Sequence, residues 1–194
     1  TLEQALYKTG FHCYGPNIKC VIPVHLFGLC ADMVGIKEIA DGYELMVIED
    51  AACSLGSSNP KGIAGAVGDT GVFSFHPRKS ITTGEGGVVT TNDPEMAAKV
   101  HAYRDFGFTT TNIERHKSGA TIMPPVNLLG YNYRMNDICA AVGVEQMKKF
   151  PAIMAGKKMV AEIYDKELAG LDWLQLPETP VGYAHTYQSY AVLI

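Results

Sequence analysis

Lys79 follows Arg78 and stands just before the run Thr82-Thr-Gly-Glu-Gly-Gly87. A primary amine forms Schiff bases with carbonyl compounds, and a neighbouring cation favours its reactive neutral form. The glycines let backbone amides approach an anion closely, and the hydroxyls add further donors. Ser74 alternates with Phe73 and Phe75, so it faces away from the side on which they pack. Asp50 ends the run Val47-Ile-Glu-Asp50. A carboxylate at the carboxyl end of a buried parallel strand sits where α/β sheets place their ligands. Cys53 lies three residues further on with no histidine beside it to activate the thiol, and it reads as a small core or pocket-lining residue. Tyr131-Asn-Tyr-Arg134 brings two aromatics, an amide and a guanidinium together ahead of a helix start, either as an anion-reaching loop or as an interface. On these residues alone, a solvated basic pair in a glycine-rich turn and a plain strand-end carboxylate stay open as alternatives.

Other chemistries are excluded on the same page. A Walker A loop needs glycine directly before its lysine, and Arg78 occupies that position. Gly84-Glu-Gly86-Gly-Val-Val89 lacks the third glycine of a dinucleotide fingerprint and precedes a strand. Six histidines are scattered without HxxxH or HxH spacing, so no metal site is expected. Five cysteines without a CxxC pair suggest neither a disulfide framework nor structural zinc, and fit a reducing cytoplasm. The 194 residues carry 16 Lys+Arg against 20 Asp+Glu, a net charge of −4 without a basic run, which gives no footprint for nucleic acid. No apolar stretch approaches the roughly 20 residues a bilayer helix needs. Thr1-Leu-Glu-Gln-Ala5 lacks the basic start and apolar middle of a secretory signal.

The elements that must position these groups follow from periodicity and breakers. Cys20-Val-Ile-Pro-Val24 and Leu45-Met-Val-Ile48 read as strands, the second covered on both faces as in a parallel sheet. Between them Asp32 caps a helix that turns Met33, Ile36, Ile39 and Ala40 inward, which makes a βαβ unit. Val72–Phe75 and Gly87–Thr91 are further strands, and Asp93-Pro94 starts a helix. Residues 105–130 read as a long loop. Asn136 opens a helix to about Phe150, and Pro151 starts another with Ile153, Met154, Val160, Ile163 and Tyr164 near one face and Gly170 as its stop. Trp173–Leu176 and Tyr190–Ile194 read as two strands, and an end inside the second suggests a truncated chain.

Together Pro23-Val-His-Leu-Phe-Gly28, Ile48-Glu-Asp-Ala-Ala52, Gly68-Asp69, Phe73-Ser-Phe-His-Pro-Arg-Lys79, Thr82–Gly87 and Gly130-Tyr-Asn-Tyr-Arg134 occur in one order and spacing. They resemble the DegT/DnrJ/EryC1/StrS sugar aminotransferases, pyridoxal-phosphate enzymes of aspartate-aminotransferase fold type I. The resemblance covers roughly residues 20–150.

It implies a three-layer αβα large domain over residues 1–150 and the incomplete start of a smaller α+β domain over 151–194. Lys79 would hold the aldehyde of pyridoxal 5'-phosphate as a Schiff base and then shuttle a proton. Asp50 would pair with the pyridine nitrogen, Ala52 would pack on one ring face, and Ser74 would bind the phosphate. Asn132 would reach the phosphate of the neighbouring subunit's cofactor, which makes the protein a homodimer with shared sites and places Tyr131 and Arg134 at the interface. Cys53 stands where many members carry glutamine near the cofactor's phenolic oxygen. The implied reaction moves an amino group, from glutamate, to a keto-deoxysugar on a nucleoside diphosphate, in the cytoplasm. Related dehydratases carry histidine in place of Lys79. A non-catalytic regulator on the same scaffold would have no physical need of Asp50, Ser74 and Lys79. Family members are nearly twice this length.

Overall fold

The computed structural model describes residues 18–109 and 128–194, together with Lys117 and Val126. Its main sheet has four strands: β1 (Cys20–Val21), β2 (Met46–Asp50), β5 (Thr70–Ser74) and β6 (Gly87–Thr90), in that spatial order. β1, β2 and β5 run parallel and β6 returns antiparallel to β5, so the α/β sheet is mixed. A small hairpin, β3 (Ser58–Asn59) with β4 (Gly62–Ile63), lies between β2 and β5 in sequence. A short 3-10 turn (Leu26–Gly28) and three α-helices complete the described elements: α1 (Met33–Gly42), α2 (Pro94–Arg104) and α3 (Asp137–Leu168).

The first strand is shorter than its sequence suggests. Pro23 has no N–H to give a ladder, yet its carbonyl accepts the Asp50 amide at 2.9 Å, and the His25 amide returns to the Asp50 carbonyl at 3.0 Å. These two bonds hold the carboxyl end of β2 where the regular ladder has stopped.

α1 begins as expected, with the Asp32 carboxylate accepting the Gly35 amide. Met33 and Ala40 are fully buried against Leu45 and Val47, with Ile36 and Ile39 packed around them, so the 3.6-residue spacing does face the sheet. β2 is covered on one face only among the described residues. Val47 and Glu49 are fully buried, whereas Met46 is exposed and Ile48 and Asp50 are half-buried. The strand thus buries a carboxylate on its covered face and presents Asp50 on the open one.

The α2 start is also as read, with the Asp93 carboxylate accepting the Glu95 and Met96 amides and Pro94 inside the first turn. Asn136 caps α3 by accepting the Cys139 amide at 2.9 Å. Here the reading of two helices is corrected, because α3 continues through Pro151 to Leu168. A proline forfeits one N–H bond in a helix interior, but its fixed φ is itself helical, so flanking turns can carry the helix past it. The apolar positions Val160, Ile163 and Tyr164 are exposed among the described residues, and Ala161 is the buried one. The two carboxyl-terminal strands are corrected as well. They reduce to a single antiparallel bridge between Gln175 and Leu193, closed by two backbone bonds. Most of the 105–130 loop lies outside the described residues.

Candidate active site

Lys79 owes its position to a tight turn. Its amide bonds the His76 carbonyl at 2.9 Å, closing His76-Pro77-Arg78-Lys79 with proline at the second position, where its φ is already correct. His76 Nδ1 accepts the Arg78 amide within the same turn. The Thr82–Gly87 loop is folded largely on itself. Thr82 Oγ1 donates to the Phe75 carbonyl and accepts the Gly84 amide, while Thr83 Oγ1 donates to the Glu85 carbonyl. The Gly84 amide is therefore engaged within the loop, which braces the end of the β5–β6 hairpin.

The Lys79 amine reaches back across the sheet end and donates to Cys53 Sγ at 3.0 Å. Ala52, Cys53, Ser74 and Lys79 line one small cavity of about 10 Å³ with Leu55, Ser80, Ile81 and Gln188. Four of the six residues picked from sequence thus converge. Ser74 Oγ accepts the His76 amide at 3.3 Å and keeps its own proton to donate. Asp50 stands on the neighbouring strand in register with Val72, two residues before Ser74. Its Oδ1 accepts the Ala52 amide at 3.1 Å, which leaves the other oxygen open among the described residues.

Asn132 lies elsewhere. It forms a bridge with Asp105, and residues 131–133 are tied to the end of α2 by three backbone bonds. Beside it Tyr131 and Tyr133 stack with centroids 5.0 Å apart, and Arg134 reaches the buried Asp105 carboxylate at 3.5 Å. Size does not mark the chemistry here. A cleft of about 820 Å³ between the β5–β6 hairpin and α2 is walled mainly by apolar side chains such as Val88, Val89 and Tyr131.

Two supports of this site are absent from the sequence reading. The first is Glu49, whose fully buried carboxylate accepts the His25 ring at 2.7 Å and the amides of Gly65, Val67 and Gly68 at 2.9, 2.8 and 2.6 Å. His25 Nδ1 accepts the Ala31 amide, so the ring carries its proton on Nε2 and donates it to Glu49. Burial pushes the Glu49 carboxyl upward, but the His25 bond and the three amides outweigh it and hold the group below the ordinary carboxylate range. The pair ties β2 just before Asp50, and the segment of His25, to the loop that leads into β5.

The second support is Gln188, which grips the turn of Lys79 from both sides. Its Nε2 donates to the Arg78 carbonyl at 2.6 Å, and its Oε1 accepts the Ser80 hydroxyl at 3.0 Å. The segment holding Gln188 sits on Gly28, whose φ is +97°. A Cβ there would lie 2.5 Å from Thr186 Oγ1 and 2.8 Å from the Gln188 nitrogen. Thr186 bonds the Gly28 carbonyl with both its amide and its hydroxyl. Burial holds the His185 imidazole in this segment below its ordinary pKa.

The model of the DegT/DnrJ/EryC1/StrS aminotransferase family matches residues 12–194. The chain belongs to this family. It is 38% identical over 179 residues to a UDP-N-acetyl-3-dehydro-alpha-D-glucosamine 3-aminotransferase of Acidithiobacillus ferrooxidans, covering 91% of this chain and 45% of the relative. It is 36% identical over 178 residues to a GDP-perosamine synthase of Caulobacter vibrioides, with the same coverage of 91% and 45%. Among solved structures, an aminotransferase of Helicobacter pylori involved in the biosynthesis of pseudoaminic acid superposes with a TM-score of 0.86 at 26% identity, covering 99% of this chain and 48% of that one. The chain thus spans about half the length of the relatives it matches. Among the described residues no helix is long and apolar enough to cross a membrane.

Proposed function

We propose that the complete protein is a pyridoxal-phosphate-dependent aminotransferase that moves an amino group from glutamate to a keto-deoxysugar carried on a nucleoside diphosphate, in the cytoplasm. One observation carries this reading: the Lys79 amine lies on the wall of a cavity shared with Ala52, Cys53 and Ser74, beside the strand that ends in Asp50. The donor set fits the cofactor. It offers a primary amine for an aldehyde, a carboxylate with one oxygen open, a serine hydroxyl with a proton to give and an alanine methyl as an apolar surface. The printed names of two relatives, with their nucleotide-linked sugars, support the substrate class.

When bound, pyridoxal phosphate supplies an electron sink for bond breaking at the carbon that bears the transferred nitrogen. In this reading Lys79 anchors the cofactor and afterwards holds and moves a proton at Nζ. The open oxygen of Asp50 holds the ring-nitrogen proton, and the Ala52 amide on its other oxygen keeps that carboxylate aimed. Ala52 would pack on the ring, Cys53 would lie by the phenolic oxygen, and Ser74 would donate to the phosphate. Residues 1–150 form part of the cofactor-binding domain, and residues 151–194 begin the second.

Asn132 lies off the Lys79 cavity, which suits the role of reaching a partner subunit's cofactor in a homodimer. Full-length Asn132→Ala and Lys79→Ala dimers should each be inactive in producing 2-oxoglutarate from glutamate and a nucleotide-linked keto-sugar. Subunit exchange between them should restore roughly a quarter of wild-type activity, because half the dimers are hybrids with one intact site of two. No recovery from two inactive parents contradicts the shared site. An active Lys79→Ala dimer contradicts the reaction itself.

A further inference from the structure

The contact between Lys79 and Cys53 has chemistry of its own. The two side chains come from segments 26 residues apart, and Nζ lies 3.0 Å from Sγ on the wall of the small cavity. Both are half-buried rather than sealed in the core. Among the described residues no carboxylate comes within ion-pair distance of Lys79, and Cys53 forms no disulfide. When this thiol is oxidised, the nucleophile at hand is therefore an amine rather than a second thiol. The sulfur is therefore within reach of a small oxidant such as a hydroperoxide.

We propose that Cys53 and Lys79 form an oxidative modification site, a direct sulfur–nitrogen cross-link made by a small hydroperoxide and reversed by thiols. In the first step the Cys53 sulfur attacks the hydroperoxide. An S–O bond forms, the O–O bond breaks, and the reduced oxidant leaves, as water when it is hydrogen peroxide. Cys53 is then a sulfenic acid, the stage at which nitrogen nucleophiles are known to condense with sulfur. In the second step the neutral Nζ of Lys79 attacks that sulfur. The S–N bond forms, the S–O bond breaks, and the departing hydroxide takes one proton from nitrogen to leave as water. Sulfur has lost two electrons and the hydroperoxide has gained them. An incoming thiol reverses the link by attacking sulfur, which frees the amine, and a second thiol then frees Cys53 from the mixed disulfide.

On the functional reading above, the cross-link occupies the amine that takes the cofactor, so it forms in the cofactor-free protein and the cofactor excludes it. The chemistry itself does not depend on that reading.

The test uses the full-length, cofactor-free protein, treated with hydrogen peroxide, digested and analysed by mass spectrometry. The expected product joins the Cys53 and Lys79 peptides, is lighter than their sum by about 2 Da, and resists tryptic cleavage after Lys79. It should disappear on treatment with dithiothreitol and be absent from Cys53→Ser and Lys79→Arg. Unlinked Cys53 carried on to the sulfinic or sulfonic acid would overturn the proposal. A linked product heavier by about 14 Da would retain an oxygen between the two atoms and overturn the direct bond. Pyridoxal phosphate added beforehand should suppress the link. A link that forms equally with and without it leaves the cross-linking site standing and sinks the cofactor role of Lys79.

Discussion

Asp50→Ala in the full-length protein should lose nearly all transamination, with kcat falling on the order of a thousandfold or more, while the protein still folds. Activity and folding separate because the side chain does little for the fold. Asp50 is half-buried, and among the described residues its carboxylate makes one short-range bond, to the Ala52 amide, whose loss costs about 1 kcal/mol. The bonds that hold the end of β2 to Pro23 and His25 belong to the backbone and survive the substitution. The open carboxylate oxygen is what the proposed chemistry needs, since without it nothing at this position retains the ring-nitrogen proton. Thermal unfolding and steady-state kinetics on one preparation decide the matter. A folded Asp50→Ala protein with normal turnover contradicts the role of Asp50.

Glu49→Ala, one residue away, should do the opposite and strongly destabilise the fold. The fully buried carboxylate accepts four donors, and truncating it strands the His25 Nε2 proton together with the amides of Gly65, Val67 and Gly68. Breaking a buried pair of this kind costs about 3–5 kcal/mol, a large share of the 5–15 kcal/mol that holds a typical domain together. The pH dependence has a definite sign. The folded-state pKa of Glu49 is lowered, so its stabilisation is complete above the ordinary carboxyl value of 4.5 and is lost as pH falls through the lower folded-state value. Denaturant midpoints measured from about pH 5 down to about pH 2 should therefore show a decline in the wild type that is smaller in Glu49→Gln. A Glu49→Ala midpoint at pH 7 within experimental error of wild type contradicts the network.

The contrast between these neighbours marks what the sequence made legible. Asp32, Asp93 and Asn136 could be read as helix caps because each bonds an amide two or three residues away, an interaction written entirely in local order. Lys79, Ser74, Cys53 and Ala52 were found through motifs, and the fold brings them to one cavity. Glu49 and Gln188 were not found. Glu49 pairs with His25 across 24 residues, and Gln188 reaches Arg78 and Ser80 across 110 and 108, distances over which one sequence carries no pattern. An acidic residue in a strand also looks solvent-facing until its donors are placed. Pro151 misled for the converse reason, since proline marks a helix start far more often than a helix interior, and here the flanking turns carried the helix through it. The carboxyl-terminal segments have strand-like composition but pair at one bridge only, because composition does not supply a partner along the full length.

The central claim, that Lys79 carries the cofactor, is tested most directly by adding pyridoxal phosphate to the full-length protein, reducing with borohydride and mapping the labelled peptide. The expected result is a yellow absorbance band before reduction and a single stable label on Lys79. A label spread over several lysines, or fixed on one other than Lys79, would contradict it.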